Sequence, residues 1–168
     1  AASQPAKEDP KKKPEQFDLG SILKGPQISM IGDTSWFTPE IRAKFAAAET
    51  KWPSNTTVRL YVGRIAGYDK DIPKAEAYLL NNPHSYSRRY LYESYLQHGL
   101  IDKFCQEYDK VPAPLYYDKR LEVAVKAKNF QDIERTILGY HSPTGALDAI
   151  LKIGVDLDNI PWAYDALG

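Results

Sequence analysis

The chain has 168 residues, 22 basic against 22 acidic, and therefore no formal net charge. That balance excludes a general polyanion binder, which carries a basic excess. A single cysteine, Cys105, excludes an intramolecular disulfide and a cysteine-rich zinc site, and it suits a reducing compartment.

Residues 1–16 are polar, with prolines and the run Lys11-Lys12-Lys13 set among Glu8, Asp9 and Glu15. Such a segment buries too little apolar area to offset its ordering entropy and is expected to be extended or mobile. The chain opens Ala1-Ala2-Ser3 without Met, which fits removal of a targeting segment or simple trimming. Residues 17–37 are apolar yet follow no helical or strand period: Phe17, Leu19, Ile22, Leu23, Ile28, Met30, Ile31, Trp36 and Phe37 are scattered among glycines and Pro26. This strap must lie against the rest of the chain or against a partner.

Thr38-Pro39 opens the first clear helix, with Ile41, Phe45 and Ala48 on one face and Trp52-Pro53 as its stop. Helices are then expected over Thr56–Ala66, Pro73–Leu80, Ser87–Gln97, Ile101–Lys110, Tyr116–Lys126 and Phe130–Leu138, and in the remainder two more, the last over Pro161–Leu167. A register of 29 residues runs through Ser54–Pro143. It aligns Ile72, Ile101 and Phe130, then Ala75, Phe104 and Ile133, then Leu79, Tyr108 and Ile137. A fixed period of this size marks stacked helical units that cannot bury their apolar faces alone. The expected fold is all-α: a short α-solenoid with an arm over 1–37 and a solenoid domain over 38–168. Its units are expected at 54–84, 85–114 and 115–143, with a cap at 144–168.

No catalytic constellation emerges. His84, His98 and His141 sit in or beside turns, and no two are three or four residues apart on a helix, so no metal site is predicted. Cys105 falls beside the core residue Phe104 with no base near it in sequence, which predicts a buried or half-buried thiol. Asp156-Leu157-Asp158-Asn159 begins like a calcium loop, but Pro161 and Leu167 stand where that loop needs Gly and Glu. No cofactor is predicted. Tyrosine is the residue in excess, 12 in all, with Tyr92 and Tyr95 read as core packing and Tyr86, Tyr90 and Tyr116 balanced between packing and a contact surface.

Helix, Gly-containing turn, helix and Pro-containing link resemble the pentatricopeptide repeat. The best unit starts at Tyr86, with Gly99, Ile101 and Asp102 at the turn. The resemblance covers about residues 54–143. It implies single-stranded RNA binding through the fifth residue of each first helix and the last residue of each unit. Those places hold Tyr90 and Lys119, Ser85 and Pro114 rather than the usual Asn, Ser, Thr or Asp. The base code is therefore absent, although Arg88, Arg89, Lys119 and Arg120 near helix starts leave an RNA-binding factor as the alternative. A degenerate chain of this kind also resembles the pentatricopeptide-like accessory subunits of the euglenozoan mitochondrial F1-ATPase, which attach to the outside of the α subunit. Residues 108–137 resemble a helical matrix-facing subunit of cytochrome c oxidase. Both resemblances imply a non-catalytic subunit on the matrix side of the mitochondrial inner membrane, without membrane insertion. The expected partner-binding residues are Phe17, Leu19, Ile22, Leu23, Trp36 and Phe37 of the strap, with Tyr86, Tyr90, Tyr116 and Trp162.

Overall fold

The computed structural model describes residues 15–24 and 33–168. Ile28, Met30 and Ile31 of the strap, and the basic run at 11–13, lie outside the described residues. Among those described, the chain is all-helical: α1 Pro39–Lys51, α2 Thr56–Tyr68, α3 Ile72–Leu79, α4 Ser87–Gln97, α5 Ile101–Lys110, α6 Tyr117–Lys126, α7 Phe130–Tyr140, α8 Pro143–Asp156 and α9 Ile160–Ala166. Single 3-10 turns stand at Leu19–Ser21 and Pro114–Tyr116.

Local chemistry starts these helices where the sequence expects. Thr38 accepts a hydrogen bond from the Ile41 amide, Asn55 from Thr57 and Val58, and Ser142 from Gly145. Each satisfies amides that a helix leaves orphaned at its first turn, and Pro39 and Pro143 fill first-turn places where no amide is needed.

Four corners share one geometry. Lys70, Gly99, Lys128 and Asp158 adopt positive φ of 67°, 68°, 50° and 53°. The next residue's amide then reaches back to a carbonyl five places earlier: Asp71 to Ala66, Leu100 to Tyr95, Asn129 to Ala124 and Asn159 to Gly154, at 2.8, 2.8, 3.0 and 2.7 Å. This is the Schellman closure, and it turns each first helix directly into its second. Asp71, Asn129 and Asn159 also cap the following helix with their side chains. Only one of the four left-handed positions is glycine, so composition hides three of them.

The buried side chains form two clusters. The first runs from Leu23 through Tyr116 and the second from Ala124 through Ala163. Within the first, α2 packs on both α3 and α4 because Gly63 and Gly67 remove side chains from its inner face. A Cβ at Gly63 would stand 2.9 Å from Leu79 Cγ, and one at Gly67 would stand 2.7 Å from Ser94 Oγ. Gly67→Val is expected to cost about 1–3 kcal/mol by overpacking, measured by urea unfolding. Gly67→Ala combined with Ser94→Gly should be milder than the sum of its single changes, since the two side chains compete for one space.

The two clusters meet at a polar seam. Arg120 of α6, 2% exposed at its side chain, donates to Asp109 of α5 at 3.0 and 3.2 Å and to Asp132 of α7 at 3.1 Å. Arg135 bonds the same two carboxylates at 2.8 and 2.5 Å. Burial works against the Arg120 charge, but the two carboxylates outweigh it and raise its pKa further.

Candidate protein-docking surface

The strap folds onto its own chain. Trp36 packs edge-on against Tyr61 of α2 at 6.0 Å, and the Arg64 guanidinium lies 5.4, 5.5 and 4.2 Å from the rings of Trp36, Phe37 and Tyr90. Glu93 of α4 accepts from that guanidinium at 3.3 and 3.4 Å. Arg64 and Glu93 stand one 29-residue register apart, so the pair ties α2 to α4 at equivalent places. Leu23, Trp36, Phe37, Tyr90 and Tyr116 are between 1% and 8% exposed. Expecting these five to meet a partner is corrected: their area is already spent on this chain's core. Phe17, Leu19, Ile22 and Tyr86 are half-buried against the first cluster, and Phe17 meets Trp52 at 5.5 Å. Trp162 is half-buried against the second cluster, 5.0 Å from Phe130. The expected set is thus divided between the two clusters rather than gathered into one surface.

Tyr92 and Tyr95 are core residues, at 0% and 1% exposure. The Tyr92 hydroxyl lies 2.8 Å from the Glu107 carbonyl and 2.6 Å from that of Val111, and burial pushes its pKa up to about 12. The histidines are not simple exposed turn residues. His98 Nε2 lies 2.7 Å from the Gly67 carbonyl, His141 Nε2 lies 3.0 Å from the Tyr117 hydroxyl, and His84 Nδ1 accepts from the Tyr86 amide at 3.2 Å. Each braces a junction between helices. Cys105 is half-buried, and burial pushes its thiol up, away from the thiolate that nucleophilic chemistry requires. Among the described residues no group of three His, Cys, Asp or Glu side chains is placed to hold a metal ion, and no helix is long and apolar enough to cross a membrane.

Ion pairing is extensive through α7. Glu107 receives Arg88 at 2.8 Å and Lys110 at 2.9 Å. The Lys110 hydrogen bond holds its carboxyl below the ordinary range; burial pulls the other way and Arg88 reinforces the lowering. A depressed carboxylate stabilises the fold above its unfolded pKa, and that stability is lost as pH falls through the folded value. Glu107→Gln should therefore be less stable than the parent at pH 7, by about 1 kcal/mol. Thermal melts should show the gap closing as pH falls from about 5 to about 3.

Beyond Arg135, ion pairs cease among the described residues. α8 instead presents three sides. Ala146, Ile150 and Gly154 are buried in the second cluster or against α9. Ala149 and Ile153 line a groove of 540 Å³ shared with Leu121 and Val125 of α6. Leu147, Leu151 and Val155, four residues apart, occupy the third side at 40%, 37% and 65% exposure. On α9 and its C-cap residue, Ile160, Tyr164 and Leu167 are exposed at 48%, 70% and 36%, on the side away from Trp162 and Phe130. These six exposed apolar residues lie on the last helix pair, and sequence reading missed them as a surface. The available signal was α8's composition. Ala146, Leu147, Ile150, Leu151, Ile153 and Val155 cover more of the helix than one buried stripe needs, beside a polar stripe of Asp148, Lys152 and Asp156.

The corner register shows what normally covers this face. Leu151 and Val155 stand three residues before and one after Gly154, as Tyr92 and Leu96 stand to Tyr95, and Gly63 and Gly67 to Ala66. Gly67 lies under Ser94 of α4 and Leu96 shares a groove with Lys119, Glu122 and Val123 of α6, each in the helix pair that follows, whereas Gly63 and Tyr92 pack on α3 and α5 of their own pairs. Val155 thus stands at a stacking position with no following helix pair among the described residues. Comparison with protein-family models, with curated proteins and with solved structures found no match.

Proposed function

We propose that the chain is a non-catalytic accessory subunit: a short α-solenoid of degenerate helix-turn-helix units that binds protein. The assembly proposed is the F1 head of mitochondrial ATP synthase, with attachment to the outside of its α subunit on the matrix side of the inner membrane. The uncovered apolar face of α8 and α9 carries the docking part of this reading. Terminal units of a stack ordinarily carry a polar outer face, and a contiguous apolar one marks an interaction site. The four recurring corners support the solenoid description, and the pentatricopeptide-like sequence supports the choice of assembly.

The RNA alternative loses ground at the code positions. Tyr90 is 1% exposed and Lys119 is engaged by Glu122 at 3.1 Å. Of the basic residues near helix starts, Arg88 is paired with Glu107 and Arg120 is buried. A base reader needs exposed polar side chains at such places.

The test is affinity capture of the tagged full chain from mitochondria in high salt, quantifying the F1 α subunit against RNA and cytochrome c oxidase. Stoichiometric F1 α is the expected result. Recovery with RNA alone, or with cytochrome c oxidase, sinks the assignment.

A further inference from the structure

We infer that the α8–α9 end face receives a basic amphipathic helix of the partner, seated as one more helix of the stack. This rests on the docking reading above and adds the chemistry of what docks. Two independent observations carry it. The first is the register: the places equivalent to Val155 in earlier helices, Gly67, Leu96 and Val125, each face the first helix of the pair that follows, so Val155 marks a helix seat.

The second is charge. α8, α9 and their connection hold Asp148, Asp156, Asp158 and Asp165 against Lys152 alone, all exposed. None of the four carboxylates makes an ion pair among the described residues, whereas Glu40, Glu49, Asp69, Glu76, Glu93, Glu107, Asp109, Glu122 and Asp132 upstream are each paired. Four carboxylates against one lysine leave α8, α9 and their connection with a net charge of −3 in a chain of zero net charge, so this end is acidic. Lysines and arginines flanking an apolar stripe complement that pattern, steering encounter at the rim while Leu147, Leu151, Val155 and Tyr164 supply the contact.

The experiment uses the full chain within its mitochondrial assembly, with a benzophenone amino acid replacing Val155. Photo-attachment to a partner helix bearing lysines or arginines beside an apolar stripe is the expected result. Attachment to a second copy of this chain, to an acidic or non-helical segment, or to nothing overturns the inference. Leu151→Asp with Val155→Asp should abolish capture while leaving far-UV circular dichroism unchanged, because both positions face solvent. Asn at all four aspartate positions should weaken capture about tenfold at low salt, with the difference fading as salt rises. Capture that survives Leu151→Asp with Val155→Asp, or that the four Asn changes leave unweakened at low salt, also overturns it. A basic helix belonging to another assembly would remove the F1 assignment and leave this inference standing. F1 capture that ignores Leu151→Asp and Val155→Asp would do the reverse.

Discussion

Replacing both Asp109 and Asp132 with Asn is expected to lower the unfolding free energy by about 3–5 kcal/mol, more than removing the arginine they hold. The asymmetry follows from burial. Arg120 is 2% exposed at its side chain, whereas Asp109 and Asp132 are 30% and 28% exposed. Without its carboxylates the guanidinium keeps its charge in a site closed to water and has no favourable neutral form. Without the guanidinium, the two carboxylates still reach solvent and Arg135. Arg120→Met, which preserves the apolar stem, should therefore cost only about 1–2 kcal/mol. Urea unfolding of the two variants decides the matter. Equal losses would mean that the pair acts through packing rather than charge.

Ile133→Ala should destabilise the second cluster by about 2–5 kcal/mol while leaving the first nearly intact. Ile133 is 0% exposed and packs with Ile137, Ala146 and Ile150, none of which belongs to the first cluster. Between the clusters the contact is the Arg120 network and the short link Val111–Tyr116, rather than continuous apolar packing. Local opening free energies follow such divisions. Native-state hydrogen exchange should show amides of α6 to α9 losing protection while those of α2 and α4 keep theirs. Phe104→Ala should give the mirror pattern. Uniform loss across all helices would show one cooperative core and overturn the division.

The division also bears on docking. The face proposed to bind protein belongs to the smaller cluster, so binding there is expected to stabilise α6–α9 first. Hydrogen exchange on the assembled complex would register that as protection gained in α8 and α9 before α2 or α4.

Much of the architecture was legible residue by residue. Thr38, Asn55 and Ser142 are side chains that satisfy orphan helix amides, so the starts of α1, α2 and α8 follow from local chemistry. The 29-residue register placed Ala75, Phe104 and Ile133 in line, and each is fully buried. Lys70, Lys128 and Asp158 were not legible as left-handed corner residues, because only Gly99 among the four is a residue type that announces that conformation.

The surface was less legible than the core, for a physical reason. Trp36, Phe37 and Tyr90 are large, aromatic and irregularly spaced, and those properties suit an interface centre and a core equally well. Only the folded chain decides between them, by laying the strap over α2 and clasping the Arg64 guanidinium among those rings. Leu147, Leu151 and Val155 carry helical spacing that promises burial, and the structure leaves them exposed.

By itself, then, the sequence determined the helices, their order and their period, because those depend on caps, turns and spacing within a few residues. Tertiary structure alone decided which apolar residues are used up internally. It divided the core in two at Arg120 and left the α8–α9 face open, because burial depends on what residues distant in sequence bring to the same place.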